Sequence, residues 1–493
     1  MPDLQSITFD ETPSNWRVPG TYVEVRPTYG RVGIAEYPSK VLLVGQALTA
    51  STGPRNQPVL CTRDDDAATR WGAGSQISAM LRAHRRADVT TEVYALAQPD
   101  PVGAVVATGT IVFGGSPSAS AEVAVGIAGR RVTVTVAATT TVAMIATAFA
   151  AAVTADTLLP VTAAATTGTV TLTAKNLGIL GNDIDIRLNP QTGDALPPGL
   201  TAAVTAMAGG AGVPDVAVTI AAIAATWFTD LAFGQSDATS VGVIEAELAT
   251  RYKANGRMDG HAYFGVRGTL GEITALGAVR NSPFCSRIGA NRAGSPPWEW
   301  AASLCARAAF YLGQDPARQL RSLTLPGIVG PAPGDLFTAQ EQHLLLLDGT
   351  STFDMAADGT VSLSRVITTY QVSALGAADD AWLDIMVPRT ASRIRYDWWA
   401  YVTLNYPRHK LTDDDSPAAE ASDSVVTPRQ MHGSWAGRCR LYERRAWIED
   451  VKRTVAESVF QRDPDNRNRL QSRQRIRIIG NLMQMYAALE FEA

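Results

Sequence analysis

Residues 40–46, Lys-Val-Leu-Leu-Val-Gly-Gln, form a continuous apolar run closed by Gly45. A half-solvated strand would alternate apolar with polar residues, so an unbroken run reads as a strand buried on both faces, at the centre of a sheet. Downstream, Asp66–Trp71 leads through Gly74-Ser75 to Ile77, Met80, Leu81 and His84, which repeat at helical spacing, and Glu92–Ala97 reads as the next strand. This β-α-β order predicts an α/β core in which helices cover a sheet.

The composition then changes. Nine of the 108 residues from Gly103 to Gly210 are charged, against 81 of the other 385, so this stretch is expected to be a module of its own. Period-2 runs at Arg131–Val136, Thr169–Thr173 and Asp183–Leu188 predict strands, and Thr141–Ala155 predicts one Ala-rich helix. Helical patterns resume at Val216–Leu231 and Ser240–Lys253, followed by a strand at His261–Val266 and helices at Gly271–Arg280 and Trp298–Leu312. The core is thus expected to continue after the module, with Trp298 and Trp300 inside it.

From Asp335 the texture differs again. Asp358–Tyr370 reads as a turn and a long strand, Trp382–Tyr406 as an aromatic helix despite Pro388, and Asp413–Pro417 as a charged loop. Thr427-Pro428 supplies an N-cap and a proline preset for the first helical position. In the helix that follows, Met431, Trp435, Cys439 and Tyr442 form one apolar stripe, and Arg438, Arg440, Arg444 and Arg445 are expected to flank it or face elsewhere. Val455–Gln461 and Arg475–Phe491 are strand candidates, while residues 1–35, with Arg17–Val25 as a β-prone piece, read as an extended arm.

The chemistry is sparse. At 493 residues with a mean hydropathy of zero, the chain can bury a core without covalent staples. Cys61, Cys285, Cys305 and Cys439 are too dispersed for a zinc ribbon or redox pair and read as buried thiols in a reducing compartment. No lysine follows a glycine, which excludes a phosphate-binding Walker loop, and the five histidines have no ligand spacing. The acidic N-terminal stretch is unlike a signal peptide, and the most apolar windows, Ala137–Val153 and Val213–Phe233, are too Ala/Thr-rich or too charged to predict a membrane span. Charge is uneven: Arg429–Ile478 carries thirteen Arg and Lys against six acids, a local +7 in a chain of net −4.

A series of stretches resembles, in order, the tail sheath proteins of contractile-tailed bacteriophages, specifically the Mu-like type. They are Ile7–Asp10 with Arg17–Glu24, Val41–Gln46, Trp71–Ser75 with Met80, Gly181–Ile186, Val366–Tyr370, Tyr406–Leu411 and Asp463–Arg467. The resemblance covers most of the chain and departs from the family at Trp71, where Phe is expected, and at the acidic Ala377–Asp380.

The fold class expected is α+β multidomain: an α/β sheath core with an inserted β-rich domain and extended N- and C-terminal strand arms. The expected divisions are an arm at 1–35, core at 36–102 and 211–334, insertion at 103–210, a tube-facing C-terminal domain at 335–474 and an arm at 475–493. The resemblance implies a structural subunit that polymerises helically around a tail tube and contracts to drive the tube through a host envelope, with no catalysis and no cofactor. Implied partners are further copies of the chain, the tail tube protein, and baseplate and tail terminator proteins, with no direct nucleic acid and no membrane insertion. The implied place is the virion tail, assembled in the host bacterial cytoplasm.

Strand-forming termini suit exchange between subunits, which assigns Tyr22, Val23, Glu24 and Val25 and Arg475, Ile476, Arg477, Ile478 and Ile479 to subunit interfaces. In proteins that resemble this one the basic helix is innermost, which assigns Arg438, Arg440, Arg444 and Arg445 to the tube. A surface adhesin or carbohydrate-binding protein is the rival reading of the β-rich module, and a nucleic-acid binder that of the basic region.

Overall fold

The computed structural model describes residues 17–21 and 33–492. Lys40–Gln46 is the fourth strand of a six-stranded sheet, in the order Cys285–Ala290, His261–Arg267, Asp230–Phe233, Lys40–Gln46, Glu92–Gln98, Pro58–Cys61. All neighbours are parallel except Pro58–Cys61, which closes one edge antiparallel. The apolar run is buried on both faces: Val41 and Leu43 point into one hydrophobic cluster with Met80, Trp300 and Leu304, and Leu42 and Val44 into another with Phe228, Ile244 and Leu248. Each such side chain contributes about 1.5–3 kcal/mol by leaving water. Helices Gln76–Ala87 and Pro297–Gln314 cover the first face. Two glycines allow the close fit. A Cβ on Gly45 would sit 2.9 Å from Met80 Sδ, and one on Gly265 would collide with the Pro297 carbonyl.

Residues 216–231 are not one helix. Val216–Ala222 is helical, and Asp230–Phe233 is the sheet's third strand, because Leu231 and Phe233 are needed on the buried sheet face.

The stretch from 103 to 210 leaves the core after Glu92–Gln98 and returns before Val216. Its ends meet where Val105 and Ala211 exchange backbone hydrogen bonds of 2.8 and 3.1 Å. It contains a four-stranded antiparallel sheet ordered Leu200–Ala208, Thr108–Gly115, Thr169–Ala174, Val161–Thr166, a three-stranded sheet of Arg130–Val136, Ala121–Ile127 and Ile186–Leu188, and the helix Val142–Ala155 capped by Thr141. Its change in composition is not a gap in packing. Phe149, Leu159 and Leu172 belong to the same buried cluster as Met80 and Trp298. Polar ties reinforce the joint: Gln76 N donates to Asn176 Oδ1 at 3.0 Å, Asn176 Nδ2 to the Ala47 carbonyl at 2.9 Å, and Arg267 to Asp185 at 2.7 Å.

The expected boundary at 335 also falls inside continuous packing. Phe353, Val361 and Leu363, from the hairpin Thr352–Met355 and Val361–Arg365, join the large cluster, and Thr369 N donates to the Cys285 carbonyl at the sheet edge. A second small core begins with the helix Met386–Asn405. All four cysteines are buried and free. Among the described residues, no helix is long and apolar enough to cross a membrane.

Candidate assembly surface

Thr427 caps the helix Pro428–Arg444 reciprocally: its hydroxyl accepts from Gln430 N, while Gln430 Oε1 accepts from Thr427 N. Met431, Trp435, Cys439 and Tyr442 are buried along one face as their spacing requires. They pack with Ile394, Trp447, Ile448 and Val451 into a small core against the helix Met386–Asn405.

Arg438 lies on that face too, which corrects its assignment to an exposed tube-facing surface. It follows Trp435 by three residues and precedes Tyr442 by four, so helical geometry turns it inward, and only 3% of it is exposed. Its partner is Asp397 on the facing helix: Nη2 lies 2.5 Å from Oδ1 and Nε donates to Oδ2 at 3.0 Å. Tyr442 donates its hydroxyl proton to Asp397 Oδ2 at 2.5 Å. Burial opposes the charge on Arg438, but the hydrogen bonds to Asp397 outweigh it and hold the guanidinium above its ordinary value. Burial, reinforced by the Asp397 charge, pushes the Tyr442 phenol well above 10. Such a group is stable only while both charges are present.

This node also holds the root of the N-terminal segment. Ala35 N donates to Asp397 Oδ1 at 2.7 Å, and Arg438 donates to the Gly33 carbonyl at 3.2–3.3 Å. Tyr37 stacks edge-on against Trp227 and Tyr396, and burial pushes its hydroxyl up to about 12. Tyr22, Val23, Glu24 and Val25 lie outside the described residues.

Helix Met386–Asn405 is fastened to the sheet as well. Arg389 pairs with Asp230 at 2.9 Å, Tyr263 donates to the same carboxylate at 2.9 Å, and Arg395 pairs with Asp259. One helix thus joins the sheet to the lobe on which Ile34, Ile476 and Ile479 pack.

Arg440, Arg444 and Arg445 are exposed, and among the described residues none of them makes an ion pair. Arg440 and Arg444 line an open groove of about 1090 Å³ with Tyr401, Tyr406, His409 and Asp423. Gly433 and Gly437 leave its floor open, since a Cβ on either would meet nothing within 4 Å. Sequence reasoning missed this groove, although two glycines four residues apart on a helix that needs none were a signal for it.

The last residues depart from expectation. Val451–Glu457 is a helix, not the start of a strand, and only Val459–Arg462 and Leu470–Arg473 pair, as a two-stranded antiparallel sheet. Arg475, Ile476, Arg477, Ile478 and Ile479 form no strand, because among the described residues their backbone bonds only the Trp447–Glu449 turn: Glu449 N donates to the Arg477 carbonyl at 2.9 Å and Ile479 N to the Trp447 carbonyl at 3.1 Å. Ile476 and Ile479 pack on the small core, as Ile34 does. Asn481 Nδ2 donates to the Ala317 carbonyl at 2.9 Å. Beyond it Leu482, Met485, Tyr486, Leu489 and Phe491 are all at least 74% exposed.

Residues 209–369 match the family model described as the phage tail sheath protein central domain. The chain carries the central domain of the phage tail sheath proteins. It is a structural sheath subunit and hence a tail component, and the family is a structural one. The sheath chain is 29% identical over 461 residues to the Mu-like prophage FluMu tail sheath protein of Haemophilus influenzae, covering 94% of each. Its fold also aligns with a sheath tail protein of Desulfitobacterium hafniense at 11% identity and a TM-score of 0.48, covering 93% of this chain and 100% of that one. The contracted helical sheath of the anti-feeding prophage aligns at 11% identity and a TM-score of 0.48, covering 97% and 99%.

Proposed function

We propose that the sheath subunit polymerises as a helix around a tail tube, linked copy to copy by exchanged strands, and contracts to drive the tube through a host envelope, with no catalytic step. The observation that carries this reading is the exposed apolar end. Among the described residues, five large apolar side chains stand in solvent on a segment whose backbone groups are mostly unpaired, and the hairpin Val459–Arg462 and Leu470–Arg473 is too small a sheet to stand alone. Strands from other copies would complete that hairpin and cover those side chains. Tyr22–Val25 and Arg475–Ile479 are the segments proposed to link subunits.

Arg440, Arg444 and Arg445 are proposed to meet acidic groups on the tube, alongside partners at the baseplate and the tail end. Exposed pairs of this kind are worth about 0–1 kcal/mol each, weak enough to break on contraction yet sufficient in many copies to hold register. The stretch from 103 to 210 is proposed to be an insertion carried on the outside, and particles are proposed to assemble in the bacterial cytoplasm. Negative-stain electron microscopy of the purified chain tests the reading. Hollow striated cylinders are expected, and persistent monomers that bind DNA or glycan would overturn it in favour of the binding-protein alternatives.

A further inference from the structure

A cavity of about 290 Å³ lies where the inserted region meets the core. Helix Gln76–Ala87 contributes Arg82 and Arg86, one turn apart, over a floor of Ala79 and Ala83, and the turn between the strands Ala121–Ile127 and Arg130–Val136 contributes Gly129 and Arg130. Gly129 has φ +76° and approaches so closely that a Cβ would lie 2.9 Å from Ser295 Oγ. Arg130 is engaged with Asp156 at 2.8 Å. Arg82 and Arg86 make no ion pair among the described residues, and Arg82 Nε and Nη1 are buried without a hydrogen-bond partner there. Glu299 is the one acid in the lining; burial pushes its carboxyl up to about 7, against the charges of Arg82 and Arg86. Two forked donors without a hydrogen-bonded acceptor among the described residues, over small side chains that leave room, form a site suited to an anion.

We propose that this cavity binds a phosphate-class anion, held by Arg82 and Arg86 from the core and closed by the Gly129–Arg130 turn of the insertion. Because the walls come from both regions, the bound anion fastens the insertion to the core. The proposal does not depend on helical assembly.

The test uses the full chain with inorganic phosphate or pyrophosphate as the probe, at constant ionic strength set with chloride. Titration calorimetry and thermal melts are expected to show saturable binding with a stabilising shift. Arg86→Gln, at an exposed position that leaves the fold intact, is expected to weaken binding about tenfold, as loss of one charge-assisted contact does. Glu299→Gln is expected to tighten it by removing the opposing carboxylate. Arg440→Gln, in the distant groove, serves as the control and is expected to bind like the wild type. Non-saturable shifts that are equal in the Arg86 and Arg440 variants, or no binding by wild type and Glu299→Gln alike, would overturn the proposal.

Discussion

Asp397 and Arg438 are joined by three hydrogen bonds of 2.5–3.0 Å between facing helices, with at most 3% of either exposed. The same carboxylate accepts from Tyr442 and from the backbone of Ala35, so the root of the N-terminal segment is fixed by the residues that fix the last helical lobe. Ile34, Ile476 and Ile479 therefore pack on one small core. Asp397 thus ties the N-terminal root to helix Met386–Asn405, which Arg389 and Asp230 fasten to the central sheet.

Arg438→Met is expected to destabilise the C-terminal lobe by about 3–5 kcal/mol, because it strands Asp397 as an unpaired buried charge. The double change Arg438→Met with Asp397→Leu is expected to cost less than Arg438→Met alone. Chemical denaturation of the three proteins measures this. Equal stability of the single variant and the wild type would show the pair to be dispensable.

Reversal of Arg440, Arg444 and Arg445 to glutamate is expected to leave the melting temperature within a degree or two, since exposed charges away from packed contacts change stability little. The same variant is expected to fail to assemble on a tube. Sedimentation with purified tube protein reads the outcome, and tube-filled sheaths built from this variant would remove these residues from the docking surface.

Truncation separates two roles within the final arm. Removal of residues 484–493 is expected to leave a folded, soluble chain that forms no cylinders, because those side chains are exposed. Removal from Arg475 onward takes Ile476 and Ile479 from the small core, at about 1–2 kcal/mol for each half-buried side chain, and is expected to lower the melting temperature as well. Identical melting temperatures for the two truncations would contradict this division.

His84 predicts an acid sensitivity of the core. Neither ring nitrogen has a hydrogen-bond partner among the described residues, and burial, reinforced by Arg85 against the charge of Asp88, pushes its pKa down to about 3. The unfolded imidazole protonates near 6.5, so the stability of the neutral buried form is fully present above about pH 6.5 and lost as pH falls toward 3, by about 1.4 kcal/mol per unit. His84→Leu is expected to flatten that slope. Parallel unfolding free energies for the two proteins between pH 6.5 and 4 would show that His84 does not carry it.

The strand Lys40–Gln46 and the cap at Thr427 were legible because each is a local matter: an unbroken apolar run admits one environment, and an N-cap followed by proline admits one geometry. Arg438 was not, because charge suggested exposure while its spacing from Trp435 and Tyr442 required burial, and its partner lies 41 residues away. Val216–Leu231 failed for a related reason: apolar residues at helical spacing also suited the sheet, and only the neighbouring strand Lys40–Gln46 decides between them. The groove over Gly433 and Gly437 and the cavity beside Arg82 arise from contacts between distant segments, which no periodicity records.

Cryo-electron microscopy of cylinders formed by the full chain tests the central claim most directly, at the hairpin Val459–Arg462 and Leu470–Arg473. At least one added strand from a neighbouring copy is expected, hydrogen-bonded to an edge of that hairpin, with the apolar side chains beyond Asn481 covered by neighbouring copies. Cylinders in which both hairpin edges stay bare, with Met485, Tyr486, Leu489 and Phe491 still in solvent, would contradict it.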